Sequence, residues 1–103
     1  MALVRIPHES KWSIRLGGEI SLASAVELKS LLVDWLPSGK DLELDLQEVA
    51  QIDVPALQLL AAAGRDAARR GLRIGGRGSE AFLQTVRSAG FDQVPEFPLL
   101  DRA

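Results

Sequence analysis

Apolar and polar positions along this chain repeat with two periods, two residues in some stretches and about three and a half in others. Leu3-Val4-Arg5-Ile6 and Trp12-Ser13-Ile14-Arg15-Leu16 read as strands, the second with Trp12, Ile14 and Leu16 alternating against Ser13 and Arg15. Gly17-Gly18 is expected to end it. A helix follows over about 23–35, with Ser24 and Glu27 spaced as a capping box and with Val26, Leu28, Leu31, Leu32 and Trp35 as its core positions. Pro37-Ser38-Gly39 breaks it. Leu42-Glu43-Leu44-Asp45-Leu46 is a third strand, and a short loop containing Val49 and Ile52 leads into a second helix. That helix spans about 54–70, between Asp53 as N-cap and Gly71 as the residue past its end. Leu72-Arg73-Ile74 reads as a fourth strand, Gly75-Gly76-Arg77-Gly78 as a turn, and Ser79 as the cap of a third helix ending near Gly90. The tail from Phe91, with Pro95 and Pro98, has room for one short edge strand.

The alternation within the strands predicts the architecture. Parallel strands covered by helices on both faces would be continuously apolar. Here Ser13, Arg15, Glu43, Asp45 and Arg73 fall on the face opposite Ile14, Leu44 and Ile74. The fold class is therefore α/β: one mixed sheet of four to five strands, with helices packed on one face and a charged, solvated second face. The third and fourth strands, joined through a helix, should be parallel. The 103 residues form a single domain, 1–103, without internal repeat or linker.

Composition narrows the chemistry. Cysteine is absent, which removes disulfides, thiolate metal sites and Cys nucleophiles, and His8 is the single histidine. No apolar run approaches the roughly 20 residues that cross a bilayer, and Met1 to Trp12 has no signal-peptide pattern, so a cytoplasmic location without membrane insertion is expected. Net charge is −2. Arg65, Arg69, Arg70, Arg73 and Arg77 cluster, but no aromatic residue lies between Trp35 and Phe82 to stack on bases, and nucleic-acid binding is not expected. The serines lack a partner base, and His8 follows Pro7 in a turn, so no catalytic residue is assigned and the chain is not expected to be an enzyme. Asp41, Glu43 and Asp45 read as a solvated strand face rather than a metal site, and no cofactor is expected. Gly76-Arg77-Gly78-Ser79-Glu80-Ala81 has dinucleotide-loop spacing without the following β-α-β unit.

The stretch from Leu42 to Gly71 is the most specific. On a helical wheel of about 100° per residue, Leu57, Leu60, Ala61, Gly64 and Ala68 share the core face, and Pro55, Leu59, Ala62 and Asp66 the opposite one. A small apolar strip at a helix start, rimmed by Gln58, Arg65 and Arg69, has the character of a partner site.

Leu44-Asp45-Leu46 through Ile52-Asp53 and the helix to Gly71, together with Leu16-Gly17-Gly18-Glu19-Ile20, resembles the STAS domain of bacterial anti-sigma-factor antagonists over roughly residues 3–91. The resemblance implies a non-enzymatic regulatory module whose partner docks around Asp53, Val54, Pro55, Gln58, Leu59 and Ala62. It implies as partner a kinase-type anti-sigma factor or a component of a chemotaxis-like cluster. The family helix begins Asp-Ser-x-Gly or Asp-Thr-x-Gly, with the hydroxyl phosphorylated. This chain has Asp53-Val54-Pro55-Ala56, so phosphorylation at Val54 is excluded and the close approach that glycine permits is lost. Two further readings carry the same resemblance: a small cytoplasmic STAS subunit bound to the ATPase of an ABC lipid-transport complex, and a STAS domain binding a nucleotide or anion near Asp53 or Gly76–Ser79. A homodimer contact is left open.

Overall fold

Leu42, Leu44 and Leu46 are fully buried while Glu43 and Asp45 on the same strand are partly exposed, so period-two alternation sets which side of the sheet meets the core. The structure, a computed structural model, describes residues 1–98 and 100–102. Five strands, β1 (Ala2–Ile6), β2 (Lys11–Ile20), β3 (Asp41–Ile52), β4 (Ile74–Gly78) and β5 (Asp101–Arg102), form one sheet in the order β1-β2-β3-β4-β5. β1 is antiparallel to β2, and the remaining neighbours are parallel. Three helices, α1 (Ala25–Trp35), α2 (Val54–Arg69) and α3 (Glu80–Ser88), complete the fold. The expected mixed sheet with one buried face is what forms, and its fifth strand is the short edge strand foreseen for the tail.

The core joins Ile14, Leu16 and Ile20 of β2 to Leu42, Leu44, Leu46, Val49 and Ile52 of β3, beneath Leu28, Leu32 and Trp35 of α1 and Leu57 and Leu60 of α2. At eleven residues α1 would be marginal alone. Burial of Leu28, Leu32 and Trp35 holds it, and the indole Nε1 of Trp35 donates to the carbonyl of Lys40 at 2.7 Å, tying the helix end to the start of β3.

Several local expectations are corrected. Gly17-Gly18 does not end β2. The strand passes through both glycines with register shifts against β3, and β3 likewise continues through Val49 to Ile52 instead of opening into a loop. Gly75–Gly78 is strand β4, not a turn, and β4 starts at Ile74 rather than Leu72. Gly76 has φ +136, and a Cβ there would stand 1.9 Å from the carbonyl oxygen of Leu44, so only glycine lets β4 approach β3 this closely. The Ser24–Glu27 capping box is absent. Ser24 is already helical in its backbone, and its hydroxyl instead accepts from the amide of Ser21 and donates to its carbonyl. Val26 is exposed rather than core, and so is Ala68, because the buried stripe of α2 runs through Ala56, Ala63 and Ala67.

The second face of the sheet carries charge in columns. Lys11 and Arg15 stand on β2, Asp41, Glu43 and Asp45 on β3, Arg73 and Arg77 on or just before β4, and Asp101 on β5. The sign alternates from strand to strand. Lys11 pairs with Glu43, Arg15 Nε donates to Asp45 at 3.1 Å, and Arg77 lies beside Asp45 in the ladder. Exposed pairs of this kind contribute roughly 0.2–1 kcal/mol each, so they favour the observed register more than they stabilise the fold.

Candidate functional site

Asp53 ends the β3 excursion and begins α2, and each of its polar groups is used. One carboxylate oxygen accepts from the amide of Ala56 at 3.1 Å, the N-cap bond its position predicts. The other accepts from the amide of Leu22 at 2.9 Å. Its own amide donates to the carbonyl of Ile20 at 3.1 Å. One side chain thus fixes both the start of α2 and the loop that leads into α1. Pro55 follows in the first turn, where its missing N–H costs nothing.

This clasp sets two helix edges side by side. Val54, the first residue of α2, is 44% exposed, and Pro55 and Gln58 are exposed beside it. Leu59 and Ala62 are half-buried, since the face of α2 turned from the core is one wall of a groove rather than open surface. The groove's upper part, about 340 Å³, is lined by Leu22, Ala25, Val26, Lys29, Pro55, Gln58 and Leu59. A smaller hollow of about 70 Å³ continues it past Leu59 and Ala62 to Val33 and Asp66. The structure therefore brings five of the six predicted residues, Val54, Pro55, Gln58, Leu59 and Ala62, to one surface, with Asp53 beneath as the residue that positions it.

Sequence reasoning missed the other wall. Leu22 is 66% exposed, Val26 71% and Val33 57%. Val26 and Val33, seven apart, lie on the outer side of α1, and Leu22, four residues before Val26, stands in the turn that leads into the helix. That spacing was the available signal, but the core residues of the same helix share its period. Lys29, in both hollows, has no carboxylate partner among the described residues.

The remaining candidates are placed elsewhere. A wider depression of about 530 Å³ lies on the charged face, floored by β3 and β4 and edged by Lys11, Asp41, Glu43, Asp45, Arg73 and Arg77. Three of its carboxylates are engaged, Glu43 and Asp45 in ion pairs and Asp41 by the amide of Arg73 at 2.9 Å, and Asp101 lines it as well. Among the described residues no group of three His, Asp or Glu side chains is placed to hold a metal ion. Ser79 caps α3 by accepting from the amide of Phe82 at 3.1 Å, while its hydroxyl donates to the carbonyl of Val49 at 2.6 Å. His8 is exposed, with its Nδ1 3.2 Å from the amide of Ser10. No helix among the described residues is long and apolar enough to cross a membrane.

Comparison with known proteins places this geometry. Among solved structures, the anti-sigma factor antagonist SpoIIAA in its unphosphorylated form superposes with a TM-score of 0.74 at 14% identity, covering 99% of this chain and 89% of that one. An anti-sigma factor antagonist from Mycobacterium paratuberculosis gives 0.72 at 21% identity, covering 97% and 86%. A putative anti-sigma factor antagonist from Thermotoga maritima gives 0.66 at 17% identity, covering 84% and 79%. At these identities the likeness is one of fold. Comparison with curated protein sequences finds no match. The family model described as "Mlab, STAS domain" matches residues 7–101. With nearly the whole chain inside that match, and with the sheet order, the helices and the Asp53-capped α2 in place, the chain belongs to the STAS domain family.

Proposed function

We propose that this domain acts by binding a protein partner in the groove between α1 and α2, without catalysing a reaction. One observation carries the reading. Five large hydrophobic residues are exposed among the described residues, and four of them, Leu22, Val26, Val33 and Val54, border this groove or the helix start beside it. Scattered single apolar side chains on a surface need no explanation, but a cluster around a concave strip marks an interaction site. The partner suggested by the structural neighbours is a regulator of the anti-sigma factor kind, and the family resemblance of the sequence adds a chemotaxis-cluster component as the other candidate. Val54 offers no hydroxyl at the first position of α2, so docking there is constitutive and not gated by phosphate at that residue.

A second reading keeps the surface and changes the partner to the ATPase of a lipid-transport complex. The match to the Mlab-type STAS model supports it. Affinity capture with tagged protein from its native cytosol, wild type beside Val26→Lys and Leu59→Arg, tests both readings. The expected result is one enriched protein, kinase-like or ATPase, that disappears with either variant. A partner retained by both variants would remove the groove from the proposal.

A further inference from the structure

The fifth exposed hydrophobic residue, Val4 at 53%, lies far in the ladder from the groove, on edge strand β1. An edge strand leaves a row of backbone N–H and C=O groups without partners, and proteins that stay monomeric blunt such edges with charge, proline, a bulge or a cover. Among the described residues β1 has no proline, bulge or cover within its length, and it carries a single charge. Its five residues pair with β2 from Ala2↔Gly17 to Ile6↔Ser13 without a register shift, so the strand is regular and unbulged. Its one charge, Arg5, is drawn back over its own sheet, with the guanidinium carbon 3.8 Å from the centroid of the Trp12 ring. Ala2, Val4 and Ile6 share the face that elsewhere carries the charged columns, so β1 adds an apolar strip to a polar surface. The opposite edge is different in kind. β5 is two residues long, Asp101 and Arg102, and Arg102 is engaged by Glu80 at 3.2 Å.

From this we infer that β1 is a self-association edge whose occupant is β1 of a second copy of the same chain, joined antiparallel about a two-fold axis. The strand is complementary to itself. With the axis at Val4, the two Val4 side chains face each other and Ala2 of each copy faces Ile6 of the other. On the helix side Leu3 meets the aliphatic stem of Arg5. Because the interface is isologous it closes at two copies and does not propagate. A five-residue strand pair buries far less than the roughly 1,600 Å² of a standard stable interface, so the dimer is weak and concentration-dependent. The groove between α1 and α2 stays open in both copies, and this inference stands apart from the identity of any partner docked there.

Sedimentation equilibrium of the full chain from micromolar to millimolar concentration tests it, with Val4→Lys and Ala2→Lys beside wild type and with Val26→Lys as a groove control. Far-UV circular dichroism checks that each variant is folded, and Ala2→Lys carries the test if Val4→Lys is not. Wild type and Val26→Lys are expected to move from monomer toward dimer with concentration. The β1 variants should remain monomeric, and the β1 amides of wild type should exchange more slowly at high concentration. A wild-type chain that is monomeric at millimolar concentration overturns the inference. So does a dimer retained by the folded β1 variants, or one lost on Val26→Lys.

Discussion

The carboxylate of Asp53 and the amide of Leu22 are joined at 2.9 Å across 31 positions of sequence. The same carboxylate caps α2 through Ala56. Asp53→Ala removes both bonds and should lower stability by about 1–3 kcal/mol, the sum of a lost cap and a lost tertiary hydrogen bond to a charged acceptor. Urea denaturation measures it. Because the loop at Leu22 is released too, partner binding should weaken more in Asp53→Ala than in a variant of equal instability elsewhere in the core.

Val26→Lys separates binding from folding. Its side chain is exposed, so stability should change by no more than about 0.5 kcal/mol while docking in the groove is lost. Leu59→Arg blocks the same groove less cleanly, because half of Leu59 is buried against the core and the substitution should also cost measurable stability. A thermal melt of both variants, beside their partner affinities, checks the contrast.

Gly64 sits mid-helix in α2, where alanine would ordinarily stabilise by up to about 1 kcal/mol. Here a Cβ would lie 2.0 Å from the carbonyl oxygen of Glu96, so the tail must lift. Gly64→Ala should therefore destabilise by about 1–3 kcal/mol and expose Phe97, which is buried beneath that crossing. Glu96 itself holds φ at +65, a region costing an L-residue about 1 kcal/mol or more. Glu96→Gly should leave the melting temperature unchanged or raise it slightly.

Gly76→Ala should be the most damaging single methyl in the chain, costing more than about 3 kcal/mol, since it combines a disfavoured φ with a collision against the backbone of Leu44. Hydrogen exchange should show the loss concentrated in the β3–β4 ladder.

What the sequence disclosed depended on whether the deciding interaction was local. Asp53, Pro55 and Gly71 punctuate α2 within its own span, and its limits were read to within a residue. The charged and apolar sides of β3 were equally legible, because alternation is written in adjacent residues. β4 was misread because Gly75-Gly76 looks like a turn to any local rule. Its extended form comes from pairing with Leu42–Leu46, some thirty residues earlier. The site was half legible for a related reason. α2 supplied its wall in one apolar strip, but on α1 two stripes share one period, and only packing decides that Leu28 and Leu32 turn inward while Val26 and Val33 do not.

The strand-by-strand alternation of charge on the open sheet face has a consequence at long range. Lys11, Arg15, Arg73 and Arg77 would, as a single block, project a positive potential into solution. Interleaved with Asp41, Glu43, Asp45 and Asp101 at strand spacings of about 4.8 Å, well inside the ~8 Å Debye length of physiological salt, their fields largely cancel within a few ångströms of the surface. An approaching macromolecule meets a face rich in ions yet nearly silent at a distance, and discrimination there rests on contact rather than attraction.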